Sequence, residues 1–219
     1  MNYFAHALPF LDRPHFMAGT AVPDWLTVAD RKIRLRTKHA EALLDDDDCL
    51  VAEVAAGGLQ HLRDDARFHE TRAFVETCWA LTAQVRDVLE GEAGMRPAFL
   101  GHLLTEVLLD ASLIGEDPGR LRTYYDVLDG VDPAVVEAAV NRAVPQPTRR
   151  LALFIELFRR ERVLWDYLED GKLLKRLNQV MRRVGLPVLP EEFAALLPPA
   201  RSLVAERKEA LLDGIPAAG

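Results

Sequence analysis

The stretch FLGHLLTEVLLDASLI, residues 99–114, combines a long apolar run with three ionisable side chains, those of His102, Glu106 and Asp110. The three recur at every fourth position, and steps of four residues on an α-helix return to nearly the same face. Leucine, valine and isoleucine occupy most of the other positions, so we expect the helix to be largely buried. The stretch therefore predicts a core helix that carries an imidazole and two carboxylates along one side.

The rest of the chain shows the same helical character. Runs of 10–20 residues with apolar side chains every three or four positions are separated by proline, glycine and aspartate, and no segment alternates convincingly as a β-strand would. The 219 residues are enough to bury a sizeable core. The sequence therefore predicts an all-α fold, organised as a single multi-helix domain over residues 1–219.

Local signals place the helix boundaries. Asn2 is a good N-cap, Pro97 suits a first helical turn, and the VPQP stretch at residues 144–147 is the clearest internal boundary. The acidic run at residues 45–48 predicts a solvated loop or a helix start. The predicted segments are 2–11, 14–20, a new one from 22, 50–69 continuing to 89 with or without a kink, 97 to about 115, 119–129, 133–143, 148–170, 172–185, and a last helix interrupted at 197–199.

Composition excludes several classes of protein. The net charge of −7 argues against a general nucleic-acid binder, and no apolar run of membrane-spanning length is expected. The first residues lack the basic region and cleavage site of a signal peptide. Cys49 and Cys78 form no disulfide framework and no metal-ligand pair, so two reduced, buried thiols in a cytoplasmic protein are expected.

A second segment, HLRDDARFH at residues 61–69, repeats the pattern of the first. His61, Asp65 and His69 recur at every fourth position. Burial of a carboxylate without a compensating partner costs several kcal/mol, and a divalent cation bound by imidazole nitrogens and carboxylate oxygens supplies that compensation. The alternatives are core histidines bonded to carbonyl groups and surface pairs four residues apart. Two such helices in one chain favour a metal site within residues 1–115, with ligands from both faces.

The remaining histidines and one further aspartate differ in their surroundings. His6 lies in an apolar helix and is expected to be buried, which makes it a candidate ligand. Asp24, in AVPDWL, either points inward or caps a helix. His15 and His39 are expected to be exposed, and we assign them no chemistry.

Four short segments, taken in order, resemble the acyl carrier protein phosphodiesterase family, whose members are distant relatives of the HD-type metal phosphohydrolases. They are MNYFAH at the start, GTAVPD at 19–24, GGLQHLRDD at 57–65 and TEVLLDA at 105–111. The resemblance covers about the first half of the chain. It places Asp24 on the family's acidic residue and His61, Arg63 and Asp65 on its second motif. Glu106 and Asp110 fall on the two acids of the last motif, while Ala111 stands where the family has histidine.

The resemblance implies an HD-like bundle that uses a divalent metal to hydrolyse a phosphodiester and release phosphopantetheine from a carrier protein. Mn, Fe, Zn or Mg is the expected ion. Glu106 is the candidate acid that orients or deprotonates water, and Arg63, with Arg67, either holds phosphate oxygens or pairs with Asp64 or Glu70. The full set of candidate ligands is His6, Asp24, His61, Asp65, His69, His102 and Asp110.

The second half of the chain offers a candidate partner surface. Between Arg149 and Arg183 there are ten Lys or Arg against five Asp or Glu, a net charge of +5, so the rest of the chain carries −12. Basic helices within residues 148–185, packed on the metal-site part, would steer an acidic carrier protein toward it. The alternative is that they simply face water. A non-catalytic helical binding module and a metal hydrolase of small phosphorylated molecules remain alternative functions, and no nucleic-acid or membrane partner is expected.

Overall fold

Helices account for all the regular secondary structure in the part of the chain that the computed structural model describes, residues 1–90 and 93–215. The prediction of an all-α fold is confirmed, since these residues contain no strand. Short 3-10 helices cover Leu8–Phe10, Val163–Leu168 and Glu191–Leu196. The α-helices are α1 Tyr3–Ala7, α2 Pro14–Ala29, α3 Thr37–Glu41, α4 Cys49–Glu70, α5 Arg72–Val88, α6 Pro97–Glu116, α7 Pro118–Asp129, α8 Pro133–Ala143, α9 Leu151–Glu161, α10 Asp170–Val184 and α11 Leu197–Leu211.

Capping side chains begin several helices, and the predicted cap at Asn2 is confirmed. The Asn2 carboxamide oxygen accepts a hydrogen bond from the backbone N–H of Tyr3, and Asp132 caps α8, whose first residue is a proline. The predicted bounds of α6, α7 and α8 are confirmed to within a residue or two. The predicted break at residues 90–97 includes residues 91 and 92, which lie outside the described residues.

The predicted break inside α2 is wrong, because the helix continues through Pro23. Proline cannot donate to the carbonyl of Gly19, which removes one helical hydrogen bond. Trp25 and Leu26, just beyond it, are fully buried, so their packing outweighs the lost bond. Asp24 therefore lies inside a helix, and its alternative role as an N-cap is excluded.

The predicted helix over 50–69 is confirmed as α4, and the chain continues as a separate helix, α5, which starts where the Thr71 hydroxyl accepts from the N–H of Phe74. Two further boundaries differ from the prediction. The predicted helix over 148–170 stops at Glu161, where Arg162 adopts a left-handed conformation with φ of 49°. The prolines at 198 and 199 occupy the first turn of α11 and do not interrupt it.

The described chain divides into two compact units, each assembled from separate segments. The α6 unit consists of residue 1 and residues 68–116 and 163–214, and within it α6 packs against α5 and α11. The α2 unit consists of residues 2–67 and 117–162 with Ile215, and within it α2 packs against α1, α7, α8 and α9. The prediction of a single domain over residues 1–219 stays a prediction.

Each unit has its own buried side chains. The core of the α2 unit is aromatic, with Trp25 and Phe158 in edge contact at 5.6 Å between ring centroids and with Phe4, Tyr124 and Tyr125 fully buried. The α6 unit is filled chiefly by leucines, with Phe68, Phe74 and Phe193 buried among them. The helices that carry the ionisable faces are thus held by apolar packing on their other sides.

One helix meets the length and composition criterion for a membrane span, which the sequence analysis did not expect. The helix is α6, with a mean hydropathy of 1.4 over its most apolar window. Of that window, 56% is buried inside the structure, and core helices of soluble proteins pass the same test. The criterion is therefore weak evidence for a membrane.

Some predicted exposures are wrong. Cys49 is exposed and Cys78 half-buried, where two buried thiols were expected. His15 and His39 are half-buried, where exposed rings were expected. Residues 45–48 form a loop that leads into α4, as predicted: Asp48 accepts from the N–H of Leu50.

Candidate metal centres

A close approach between α2 and α4 sets the position of His61. A Cβ atom on Gly57 would lie 2.0 Å from the carbonyl oxygen of Phe16, and one on Gly19 would lie 2.4 Å from that of Val54. Only hydrogen at these two positions allows the backbones to come so near. One turn beyond Gly57 on α4, the buried ring of His61 reaches α2.

The hydrogen bond that His61 makes to α2 fixes the roles of its two ring nitrogens. Nδ1 lies 2.7 Å from the carbonyl oxygen of Thr20, which can only accept, so Nδ1 donates. In a neutral ring Nε2 then carries a lone pair, yet it lies 3.4 Å from Oδ2 of Asp65. A lone pair facing a carboxylate is repulsive, so this contact requires a proton or a metal ion between the two atoms.

The charges around His61 favour a positive group at that position. Burial alone would lower the pKa of His61, but the Asp24 carboxylate and the hydrogen bond with Asp65 outweigh it and raise the pKa above its ordinary value. Asp24 therefore acts on the site electrostatically, from within α2.

His6 completes this group from α1. Its buried ring stacks on that of His61, with centroids 3.9 Å apart and an angle of 25° between the planes. Its Nε2 atom lies 3.1 Å from Oδ1 of Asp65, so the two imidazoles face the two oxygens of one carboxylate. Although burial works in the opposite direction, hydrogen bonds from His6 and His61 hold the pKa of Asp65 far below its usual range.

The spacing of these atoms suits a metal ion. Ligand atoms of His6, His61 and Asp65, here called the His61 triad, lie within 4.8 Å of one another. Two ligands about 2.1 Å from one ion, at angles of about 90–110°, are themselves about 3.0–3.4 Å apart. The two nitrogen–oxygen distances of 3.1 and 3.4 Å match that range. The His61 triad could therefore hold a metal ion.

A second group, here called the His102 triad, lies in the α6 unit. His69 Nε2 and His102 Nε2 lie 2.9 and 3.2 Å from the same oxygen of Glu106, Oε1. Phe74 packs edge-on against both imidazole rings, at 4.8 and 5.0 Å between centroids. The ligand atoms again lie within 4.8 Å of one another, so this triad could also hold a metal ion.

The histidines of the His102 triad are more exposed than those of the His61 triad. The side chains of His69 and His102 are 33% and 44% exposed. The α-amino group of Met1 lies 3.2 Å from the Oε1 atom of Glu106. Despite the opposing effect of burial, the positive amino group and the hydrogen bonds from the two imidazoles lower the pKa of Glu106 below its ordinary value.

The predicted site residues thus have different outcomes. Five of the predicted ligands belong to the two triads: His6, His61, Asp65, His69 and His102. Glu106 is the carboxylate of the His102 triad and so is itself a candidate ligand. Its predicted role as an unligated acid stays a prediction. Asp110 is fully buried on α6 one turn after Glu106 and is not a member of the His102 triad. Arg63 is exposed on α4, and side chains two residues apart on a helix, such as those of Arg63 and Asp65, point in nearly opposite directions.

Several residues that build these groups were not predicted from the sequence. The Thr20 carbonyl is a backbone atom, and no side-chain pattern marks it. The close crossing of α2 and α4 could have been predicted from Gly19 and Gly57, since a glycine on each of two apolar helices is typical of such a contact. Phe74 resembles any other core aromatic residue.

The basic residues of α9 and α10 are partly engaged in local contacts. Arg159 donates to the carbonyl oxygens of Asp129 and Val131, and Arg162 pairs with the Asp129 carboxylate. On α10, Arg176 pairs with Asp166. Such pairs reduce the charge available to a partner, and the predicted carrier-protein surface stays a prediction.

Comparisons of this chain with protein-family models, with curated proteins and with solved structures find no match.

Proposed function

We propose that this protein is a metal-dependent phosphoester hydrolase whose catalytic cation is held by the His61 triad. One observation carries the proposal. The Thr20 carbonyl commits Nδ1 of His61 to donation, and its Nε2 faces a carboxylate oxygen of Asp65 at 3.4 Å, a contact that requires a proton or a metal ion between the two atoms. A divalent cation accepts both lone pairs and turns an unfavourable contact into a ligand pair.

The residues at the His61 triad have different roles in binding the proposed metal ion. His6, His61 and Asp65 supply two nitrogens and a carboxylate, and the Thr20 carbonyl holds the tautomer and orientation of one imidazole. The nearby Asp24 carboxylate adds negative charge on the α2 side. Two imidazoles with one carboxylate suit Mn, Fe or Zn better than Mg, which prefers oxygen ligands.

The proposed reaction class rests on both this ligand set and the family resemblance. A cation bound there would polarise a phosphoryl oxygen and lower the pKa of a bound water toward 7. Three protein ligands leave coordination positions for water and substrate, as in catalytic metal sites. The resemblance to acyl carrier protein phosphodiesterases supports a phosphodiester as the bond cleaved, with a phosphopantetheinylated carrier protein as the proposed substrate.

Metal content and turnover test the proposal together. Protein purified without added metal is subjected to elemental analysis and then assayed with Mn²⁺ on bis-p-nitrophenyl phosphate. His61→Ala and Asp65→Asn should each remove most of the bound metal of the triad and the hydrolysis. The matched control is His15→Ala, a half-buried histidine on α2 outside both triads, which should leave both quantities unchanged.

The substrate is tested separately, by mass spectrometry of a phosphopantetheinylated carrier protein after incubation with the enzyme. Hydrolysis of the generic diester without release of phosphopantetheine would favour the alternative of a hydrolase of small phosphorylated molecules. Absence of turnover with Mn²⁺, Fe²⁺, Zn²⁺ and Mg²⁺, with circular dichroism showing folded protein, would refute the proposal and favour a binding module.

A further inference from the structure

A short basic segment follows α2 and runs into the first turn of α3, in a chain whose net charge is −7. The segment RKIRLRTKH, residues 31–39, holds five Lys or Arg and no acid. Its backbone is irregular from residue 33 to residue 36, and Ile33 and Leu35 are buried while Arg34 and Arg36 are exposed. This alternation is that of an extended chain, which anchors one side in the core and presents the cations on the other.

These cations line a cavity of about 350 Å³ in the α2 unit. Residues 144–146, between α8 and α9, line the same cavity. The cationic wall consists of Lys32, Arg34, Arg36 and Lys38, joined by His39. A volume of this size falls in the range of small-molecule sites, which starts at about 300 Å³.

The positive charge of the cavity has no acidic counterpart among the described residues that line it. Across residues 1–90 and 93–215, none of its four Lys and Arg side chains forms an ion pair. By contrast, Arg13 pairs with Glu53 and Arg142 with Asp46 in the same unit. The Nδ1 atom of His39 is buried without a hydrogen-bond partner. Like charges around one volume repel one another, and a bound anion removes that repulsion.

We propose that this cavity binds a small, multiply charged phosphate compound of the di- or triphosphate class. Arginine forks match phosphate oxygens in pairs, and lysines add positive charge. Several cations around one cavity suit several phosphate charges better than a single carboxylate. The acidic remainder of the chain opposes a long polyanion, which would extend beyond the basic cavity. This assignment does not depend on the metal centre.

Calorimetric titration of the full chain with sodium tripolyphosphate tests this proposal. The protein is first treated with chelator and dialysed, so that phosphate cannot bind through a metal ion. The pocket variant is Arg34→Gln with Arg36→Gln. The matched control, Lys175→Gln with Arg182→Gln, removes two exposed positive charges from α10 and so changes the net charge equally.

We expect saturable one-to-one binding that the pocket variant weakens by about tenfold or more, since two charge-assisted contacts are lost. The control should retain the original affinity, and circular dichroism should report unchanged helix content for both variants. Equal weakening in the two variants would refute a built site. So would the absence of saturable binding, or equal affinity for orthophosphate and tripolyphosphate. Tighter binding of a short oligothymidylate, lost in the pocket variant, would overturn the small-ligand assignment in favour of a nucleic-acid surface.

Discussion

The crossing of α2 over α4 makes Gly57→Ala a direct test of how the His61 triad, a candidate metal site, is positioned. The added Cβ would lie 2.0 Å from the carbonyl oxygen of Phe16, whereas real Cβ contacts are essentially never shorter than 3.0 Å. The two backbones must therefore separate by about 1 Å at this point. Overpacking of this kind typically costs about 1–3 kcal/mol. In a chain of this length each kcal/mol lowers the melting temperature by roughly 2–4 °C, so a decrease of about 2–12 °C is expected.

The same separation should weaken metal binding, because the hydrogen bond from His61 to the Thr20 carbonyl spans this crossing at 2.7 Å. Thermal denaturation by circular dichroism and elemental analysis of the purified variant measure the two effects. Gly115→Ala is the matched control, since a Cβ there meets no atom within 4 Å and alanine favours the helix. An unchanged melting temperature and metal content in the Gly57→Ala protein would show that this crossing does not position His61.

Two further predictions concern ionisation. Because the folded state raises the pKa of His61, chelated protein should hold this stabilisation fully below pH 6.5 and lose it as the pH rises through the folded-state pKa. Protein loaded with Mn²⁺ should instead gain stability as the pH rises over the same window, because protons then compete less with the metal ion for His61. Melting temperatures that follow the same pH trend in the chelated and the loaded protein would contradict this prediction. In chelated protein at neutral pH, Glu106→Gln should destabilise by about 1–3 kcal/mol, because the carboxylate faces two imidazoles. Since folding lowers the pKa of Glu106, its contribution in the unmutated protein should be complete above about pH 4.5 and be lost progressively as the pH falls from there toward the folded-state pKa. Glu76→Gln, which removes an exposed carboxylate paired with Arg72, should change denaturant unfolding little, since exposed ion pairs contribute little stability.

The elements that the sequence predicts correctly are those with local signals. Asn2 and Asp132 act on the backbone within a few residues, so their caps can be recognised without knowledge of the fold. Pro23 is also a local signal, but the burial of Trp25 overrides it, and burial depends on helices distant in sequence. The left-handed turn at Arg162 has no glycine to mark it.

The candidate site divides in the same way. Spacing alone identifies the face that His102 and Glu106 share, because helix geometry fixes it. Spacing does not say which other face meets it, and the pairing of Glu106 with His69 emerges only from packing in the α6 unit. The stacking of His6 on His61 likewise depends on where α1 lies. The sequence therefore predicts which side chains can bind a metal ion, but not which residues they contact or which imidazole nitrogen carries the proton.

Because the histidines of the two triads differ in exposure, metal ions bound with equal strength would exchange with solvent at different rates. In the His61 triad both histidine side chains are at most 3% exposed, while those of the His102 triad are a third or more exposed. An ion in the first would meet solvent only on the side of the Asp65 carboxylate, which is 27% exposed, whereas an ion in the second would also be open to solvent at its two imidazoles. Two ions held with equal affinity would therefore differ in residence time. Isotope exchange followed over minutes to hours would resolve a fast and a slow population where an equilibrium titration shows one.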